Sequence, residues 1–183
     1  MSEDSLTIGM AAQFIQRKGH GILLDAAPSV LRDHPSARFL LFGRGPLKEE
    51  IEREVQIRGL AEAFRFPGFR DDLPELLPCL DLLIHPAAME GLGVILLQAS
   101  AAGIPIVASA VGGIPEAVAH LENGLLIPPG NPSALAESMN QILADPALAH
   151  RMGEEGKRRV ADLFSVSRMV EGNLEVYRTV LDT

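Results

Sequence analysis

Short, uninterrupted apolar runs alternate with helix-length segments along nearly the whole chain. A strand that is apolar throughout must be covered on both faces, and its alternation with helices of about ten or more residues is typical of βαβ units. We therefore predict a single Rossmann-like, doubly wound α/β domain with about six parallel strands, spanning residues 1–183. The predicted strands are residues 6–12, 37–42, 64–67, 82–85, 106–109 and 125–127.

Composition narrows the classes of partner. The 183 residues are 47% hydrophobic, enough for one buried core, and the net charge is −8. No run of Lys and Arg is long enough for a nucleic-acid or membrane patch, and no apolar run reaches the about 18 residues of a membrane span. We expect no nucleic-acid partner, no transmembrane segment and no signal peptide. The single cysteine, Cys79, lies in a leucine-rich run and is predicted to be a core residue of a cytoplasmic protein.

One segment, residues 89–103, follows the predicted fourth strand and combines the features of an anion site. Gly91 and Gly93 let the backbone approach a ligand, and the helix that follows offers free N–H groups and the positive end of its dipole. Glu90 precedes this helix, and Gln98 lies roughly 7–8 Å along its axis from Gly93 at about 1.5 Å per residue. The pattern favours a site that holds a sugar, a diphosphate and a ribose in line. An ordinary strand–loop–helix corner with a solvated Glu90 is the alternative.

Ligands of open α/β sheets bind beyond the carboxyl ends of the strands. The loops predicted to lie there are residues 13–19, 43–46, 68–72, 85–93 and 109–116. Within this region His20 and His85 are predicted to be structural, and Asp72 is predicted to cap a helix over residues 73–80. No His, Cys and Asp residues have the spacing of a metal site.

Three other enzyme classes lack their motifs. The dinucleotide fingerprint would need a glycine five positions after Gly43, where the chain has Lys48. Neither the Gly-Lys-Ser/Thr of a P-loop nor the Gly-x-Ser-x-Gly of a hydrolase elbow occurs. These absences disfavour a nicotinamide enzyme, a kinase and a hydrolase.

A string of short motifs in one order gives a specific resemblance over essentially the entire chain. The motifs are Lys18-Gly19-His20, Gly43-Arg44-Gly45-Pro46, Gly68-Phe69-Arg70-Asp71-Asp72, Glu90-Gly91-Leu92-Gly93, Ala101-Ala102-Gly103-Ile104-Pro105, Gly112-Gly113-Ile114-Pro115-Glu116, Glu122-Asn123-Gly124 and Pro128-Pro129-Gly130-Asn131-Pro132. Together they resemble the C-terminal, donor-binding domain of a retaining glycosyltransferase of family four (glycosyl transferases group 1), which has the GT-B fold.

The resemblance implies roles for individual residues. Glu90 would bind hydroxyls of the donor sugar and Lys18 would clamp the diphosphate, so these two are the implied catalytic residues. Position 98 would bind the ribose. The remaining implied donor-binding residues are Gly43, Arg44, Gly45 and Arg70 around the base and Gly91, Leu92 and Gly93 beside the diphosphate. The donor would be a nucleoside-diphosphate sugar such as a UDP-sugar, with no cofactor and no metal.

The chain departs from the family pattern at two positions. Gln13 stands where the family has the Arg of its diphosphate clamp, and Gln98 stands where it has a Glu that binds both ribose hydroxyls. Glutamine can hydrogen-bond in both places but contributes no charge. The clamp then depends on Lys18, with Arg17 and the amides near Gly93 as possible helpers.

The implied activity is transfer of a hexose-like sugar from a nucleoside diphosphate to an acceptor hydroxyl with retention, as in polysaccharide biosynthesis. Such enzymes need an N-terminal acceptor domain, so we expect this chain alone to lack full activity and its terminal helix, about residues 166–181, to pack toward that domain. The parent enzyme would be cytoplasmic or peripheral at the inner membrane face. Two alternatives stay open: a non-catalytic nucleotide-binding or partner-docking module, and a GT-B-like epimerase or phosphorylase.

Overall fold

The computed structural model describes residues 5–181, and within them the chain forms six strands and eight α-helices. The strands are β1 (Thr7–Ala11), β2 (Arg38–Phe42), β3 (Phe64–Gly68), β4 (Leu82–His85), β5 (Ile106–Ser109) and β6 (Gly124–Ile127). The helices are α1 (His20–Asp33), α2 (Lys48–Ile57), α3 (Leu73–Leu76), α4 (Val94–Ala101), α5 (Ile114–Ala117), α6 (Pro132–Ala144), α7 (Pro146–Leu163) and α8 (Val166–Leu181). Two short 3-10 helices cover Gln16–Lys18 and Leu77–Cys79.

All strand pairs of this sheet are parallel, in the order β3-β2-β1-β4-β5-β6. The order reverses between β1 and β4, because the chain winds outward first on one side of β1 and then on the other. In such sheets a crevice opens at this reversal, beyond the carboxyl ends of the two central strands. The loops after β1 and β4, which contain Lys18 and Glu90, flank the crevice. The predicted parallel doubly wound sheet is confirmed.

Helices cover both faces of the sheet. On one face α1, α2 and α6 enclose a large apolar cluster with side chains such as Leu23, Val55 and Met139. On the other face α4 and α5 enclose a second cluster that includes Leu96. Leu96 is fully buried, so its truncation to Ala would cost about 2–5 kcal/mol of unfolding free energy. The sheet is thus held firmly from both sides, and the loops at its carboxyl ends project from a rigid base.

Two local predictions are wrong. The helix expected over residues 73–80 is split into α3 and a 3-10 helix, and the Asp72 side chain makes no cap hydrogen bond because Arg70 binds its carboxylate instead. Cys79, expected in the core, is exposed at the end of that 3-10 helix.

Helix α8 has none of its residues buried, although it has the predicted bounds. Its apolar residues remain on the surface, and the more exposed of them are Val166, Met169, Val176, Tyr177, Val180 and Leu181. Over residues 5–181 no helix is both long enough and apolar enough to cross a bilayer. The apolar face of α8 is therefore not explained by packing within the described part of the chain.

Candidate functional site

Three side chains, two from the loops after β1 and β4 and one from the end of β4, meet at the reversal of the sheet; we call Lys18, His85 and Glu90 the carboxylate cluster. Lys18 Nζ donates a hydrogen bond to Glu90 Oε2 at 2.5 Å, and His85 Nε2 lies 2.7 Å from the same oxygen. The second carboxylate oxygen, Oε1, accepts from the backbone N–H of Gly91 at 3.1 Å. The Lys18 and Glu90 side chains are only 13% and 16% exposed, so this ion pair is partly shielded from water.

The cluster keeps the Glu90 carboxylate ionised. Burial raises the pKa of Glu90, but the hydrogen bonds and positive charge of Lys18, with the hydrogen bond from His85, outweigh burial and lower this pKa to about 2. Burial also lowers the pKa of His85 and outweighs its contact with Glu90, which favours the neutral imidazole. A neutral imidazole beside an ionised carboxylate must donate, which assigns the proton to Nε2.

The Glu90 loop is supported by the loop that follows β5. Gly113 N–H donates to the Gly91 carbonyl at 2.7 Å. A Cβ on Gly112 would lie 1.9 Å from the Glu90 carbonyl oxygen, and the residue has a left-handed φ of 53°. Only glycine fits there, so this backbone contact fixes where Glu90 enters the site.

A pocket of about 290 Å³ opens at the same carboxyl edge of the sheet; we call it the Gln13–Gln98 pocket. It is bounded by the carboxyl ends of β1 and β2, by the loop after β3 and by one face of α4. Its lining residues are Ala11, Ala12, Gln13, Phe42, Gly43, Arg44, Phe69, Arg70, Leu73, Ile95 and Gln98. Both glutamines that depart from the family pattern therefore face one cavity with an apolar floor and two arginines at its side.

The two arginines of this pocket are each held by a neighbour. The Arg44 guanidinium lies over the Phe69 ring, 5.0 Å from its centroid, which is the geometry of a cation–π contact. Arg70 forms a two-pronged pair with Asp72, in which Nε donates to Oδ1 at 2.6 Å. Arg44 thus covers one face of Phe69, whereas the charge of Arg70 is largely neutralised within the loop by Asp72.

The glycine loop after β2 is tied directly to the loop that contains Gln13. Phe14 N–H donates to the Arg44 carbonyl at 3.0 Å, and the Gly43 α-carbon packs so closely on Ala12 that a Cβ would lie 2.0 Å from its carbonyl oxygen. Gly45 packs in the same way on the Phe14 backbone. This wall of the pocket is therefore formed by two backbone segments in direct contact, and it has little freedom to move.

The start of α4 faces the same region. Gly93 immediately precedes the helix, whose first N–H groups have no acceptor within the helix itself. Leu92 is half-buried and packs against the apolar cluster beneath, which anchors the loop. The donors here and the ammonium of Lys18, which also binds Glu90, are groups at this edge of the sheet that can bind an anion.

The structure thus places many of the predicted residues in two sets at the carboxyl edge of the sheet. Gln13, Gly43, Arg44, Arg70 and Gln98 line the pocket, while Lys18 and Glu90 form the cluster. Sequence reasoning missed His85 as part of the site, although its position at the end of a strand five residues before Glu90 was a usable signal. Phe69 lies in a loop implied to surround the base but was not named as a separate site residue, because a single aromatic residue in a loop has no distinctive pattern.

Comparisons with known proteins support the predicted fold. HepE from Anabaena, solved in complex with UDP and glucose, is 26% identical with a TM-score of 0.85, over 98% of this chain and 49% of that one. The C-terminal domain of a glycosyl transferase group 1 family protein, LpcC from Francisella tularensis, is 25% identical with a TM-score of 0.81, over 88% of this chain and 87% of that domain. The predicted fold, the C-terminal half of GT-B, is confirmed.

A curated relative gives a similar result from sequence alone. The 2-deoxystreptamine glucosyltransferase of Streptomyces kanamyceticus is 31% identical over 181 residues, covering 98% of this chain and 47% of that protein. The chain spans about half the length of the curated relatives it matches. The sequence model of the family Glycosyl transferases group 1 matches residues 1–159. The chain belongs to the glycosyl transferases group 1 family.

Proposed function

We propose that this chain is the donor-binding half of a glycosyltransferase that moves a hexose-like sugar from a nucleoside diphosphate to an acceptor hydroxyl with retention. The observation that carries the proposal is the partly shielded Lys18–Glu90 pair at the reversal of the sheet, beside a pocket of nucleoside size. A cation for the diphosphate and an ionised carboxylate for sugar hydroxyls stand next to one another there. An ordinary loop corner would leave such a glutamate in solvent.

The Gln13–Gln98 pocket is the proposed nucleoside site. Its apolar floor and the Phe69–Arg44 pair offer a flat surface to a base, and Gln98 on α4 offers a carboxamide to the ribose. Both glutamine side chains are neutral, so they bind hydroxyls or phosphate oxygens by hydrogen bonds without charge. Lys18 and the first N–H groups of α4 then provide most of the positive field for the diphosphate.

These groups suggest how the site promotes transfer. The bond between the anomeric carbon and the diphosphate oxygen breaks as the acceptor oxygen bonds to that carbon on the same face and passes its proton to the departing diphosphate oxygen. Negative charge grows on the departing diphosphate, where Lys18 and the helix start stabilise it. Glu90 fixes the sugar through its hydroxyls, so the ring stays in position while the charge develops. In this scheme the positive charge comes from the protein, and no metal is required.

The names of the relatives guide the choice of donor. HepE was solved with UDP and glucose, and the kanamycin-producer relative is named a glucosyltransferase. UDP-glucose is therefore the first donor to test for this chain, with GDP- and ADP-linked sugars beside it.

We also propose that the rest of the enzyme supplies an N-terminal acceptor domain. The chain covers about half of its curated relatives, and α8 presents an exposed apolar face. Packing α8 on a second domain would remove that face from water and close the acceptor side of the cleft.

The test is a transfer assay on the chain joined to its acceptor domain, with NMR assignment of the anomeric configuration in donor and product. We expect retention, and we expect Glu90→Gln to abolish transfer while Glu52→Gln, a change at a surface ion pair on α2, leaves it unchanged. Inversion would refute the retaining mechanism. Nucleotide binding without any transfer would instead support a non-catalytic module of the same fold.

A further inference from the structure

His85 is the last residue of β4, and its side chain is 2% exposed. Burying an imidazole is costly unless its polar atoms have partners. Nε2 has one, the Glu90 carboxylate, whereas no residue of the described chain, 5–181, hydrogen-bonds Nδ1. Among residues 5–181, the hydrogen-bond partner of this buried ring is therefore the residue proposed to bind the donor sugar.

Two donors converge on one carboxylate oxygen. Lys18 Nζ and His85 Nε2 both bind Glu90 Oε2, while Oε1 accepts from Gly91 N–H. A carboxylate has about four lone-pair positions, so three of them are in use. A diphosphate at the start of α4 would compete with Glu90 for the ammonium of Lys18, because a phosphate carries more negative charge than a carboxylate.

Once Lys18 turns to the diphosphate, His85 is the side chain that still holds Glu90. The imidazole ring is fixed by burial at the end of a central strand, whereas Lys18 is on a long, flexible stem. Glu90 would then keep its position and gain a free lone pair on Oε2 for a sugar hydroxyl.

We propose that His85 is a positioning residue: its Nε2–H holds the Glu90 carboxylate in place for the donor sugar when Lys18 binds the diphosphate. The inference rests on the proposed function and assigns the sugar-selecting part of that site to a His–Glu pair. A residue that only fills space at this position would be replaceable by an apolar ring of similar size.

Two substitutions separate positioning from packing. His85→Phe keeps a buried ring but removes the N–H, and His85→Gln places an amide N–H near the former position of Nε2. His20→Phe is the matched control, because His20 is also buried near the cluster but stacks on Phe14, with ring centroids 4.4 Å apart, and does not bind Glu90. Thermal unfolding checks that each variant is folded.

The experiment is calorimetric titration of the 183-residue chain with UDP, GDP and ADP and with the glucose conjugate of each. For the nucleotide that binds, we expect His85→Phe to leave its affinity within about twofold and to weaken the glucose conjugate about tenfold, as expected for a hydrogen bond to a charged group. We expect His85→Gln to recover most of that loss and His20→Phe to cause none.

Two results would overturn the inference. If a nucleotide binds and His85→Phe keeps the full preference for its glucose conjugate, His85 does not position Glu90. The same conclusion follows if ¹⁵N NMR finds the neutral His85 ring protonated on Nδ1 rather than Nε2. If no nucleotide binds the wild-type chain, the proposed function itself fails and the positioning role falls with it.

Discussion

Lys18 and Glu90 are 72 positions apart in the chain, yet Nζ of the first donates to Oε2 of the second at 2.5 Å. The pair joins the loops after β1 and β4, the two strands between which the order of the sheet reverses. Because a parallel sheet brings the carboxyl ends of neighbouring strands to one edge, residues distant in sequence can form a compact site there.

The contact of Gly112 with the Glu90 loop predicts a large effect of adding one methyl group. Gly112→Ala would place a Cβ against the Glu90 carbonyl and would strain a left-handed residue, at a cost of about 1–3 kcal/mol from the backbone conformation alone. Urea unfolding measures this cost. Gly172→Ala in α8 is the control: nothing lies near its added Cβ, so we expect a gain of up to about 1 kcal/mol from helix propensity. If Gly112→Ala and Gly172→Ala changed the unfolding free energy by the same amount, the close contact of Gly112 with the Glu90 carbonyl would be refuted.

Stability should fall as the pH is lowered from about 6.5 to about 4. Burial, with the nearby His85 and Lys18, lowers the pKa of His20 to about 4, so the unfolded chain takes up its proton first. The stability that depends on neutral His20 is therefore present above pH 6.5 and is lost toward pH 4, with a slope of up to about 1.4 kcal/mol per pH unit. Burial shifts the pKa of His85 in the same direction.

Urea unfolding at pH 7, 5.5 and 4.5 tests this dependence. His20→Phe has no proton to take up at this position, so its unfolding free energy should decrease less over the same interval. If the unfolding free energies of the variant and the wild type changed equally with pH, His20 would not contribute to the pH dependence.

Restoring the family's charge at position 13 should tighten nucleotide binding. Gln13 lines the pocket, and Gln13→Arg would add a guanidinium next to the proposed diphosphate position. We expect about a tenfold gain in nucleoside-diphosphate affinity at low salt and a smaller one at high salt, because exposed charges are screened. Gln16→Arg places the same charge in the same loop but outside this pocket and should give little gain. Equal gains from both would indicate general electrostatic attraction.

A carboxylate at position 98 should tighten nucleotide binding through the ribose hydroxyls. Gln98→Glu would supply a charged acceptor to hydroxyls, and charge-assisted hydrogen bonds are about twice as strong as neutral ones. We expect tighter binding of UDP, or of whichever nucleoside diphosphate binds, with little change for its 2′-deoxy analogue. Calorimetry with the two nucleotides separates this effect from a general change in the pocket. A gain for the deoxy analogue of the same size would place Gln98 away from the ribose.

Much of the fold was predictable because each strand is a short apolar run between recognisable turns. The six strands and their parallel arrangement follow from the rule that fully apolar strands need cover on both faces. The break after Leu76 does have a signal in the sequence, since Pro78 has no N–H for the hydrogen bond of a continued helix, but the predicted helix over residues 73–80 did not allow for it. The exposure of Cys79 depends on that break.

The site was predictable as a set of loops but not as a set of contacts. Glu90 and Lys18 could be named from their motifs, yet nothing in the sequence indicates that they bind each other. The partner of Asp72 was not predicted, because a carboxylate before a helix can either cap the helix or pair with a nearby cation. In the structure Asp72 forms a bidentate ion pair with Arg70. Such choices depend on side-chain reach in three dimensions.

The most direct measurement is a calorimetric titration of the chain with UDP, GDP and ADP, each with and without glucose attached, for Lys18→Met and Glu90→Gln. The controls are Lys48→Met and Glu52→Gln, which alter an exposed Lys–Glu pair on α2 with a 3.0 Å contact. We expect one nucleotide to bind, Lys18→Met to weaken it and its conjugate about ten- to a hundredfold, and Glu90→Gln to weaken only the conjugate. Unchanged binding in both variants, or no binding by the wild type, would contradict a donor site at Lys18 and Glu90.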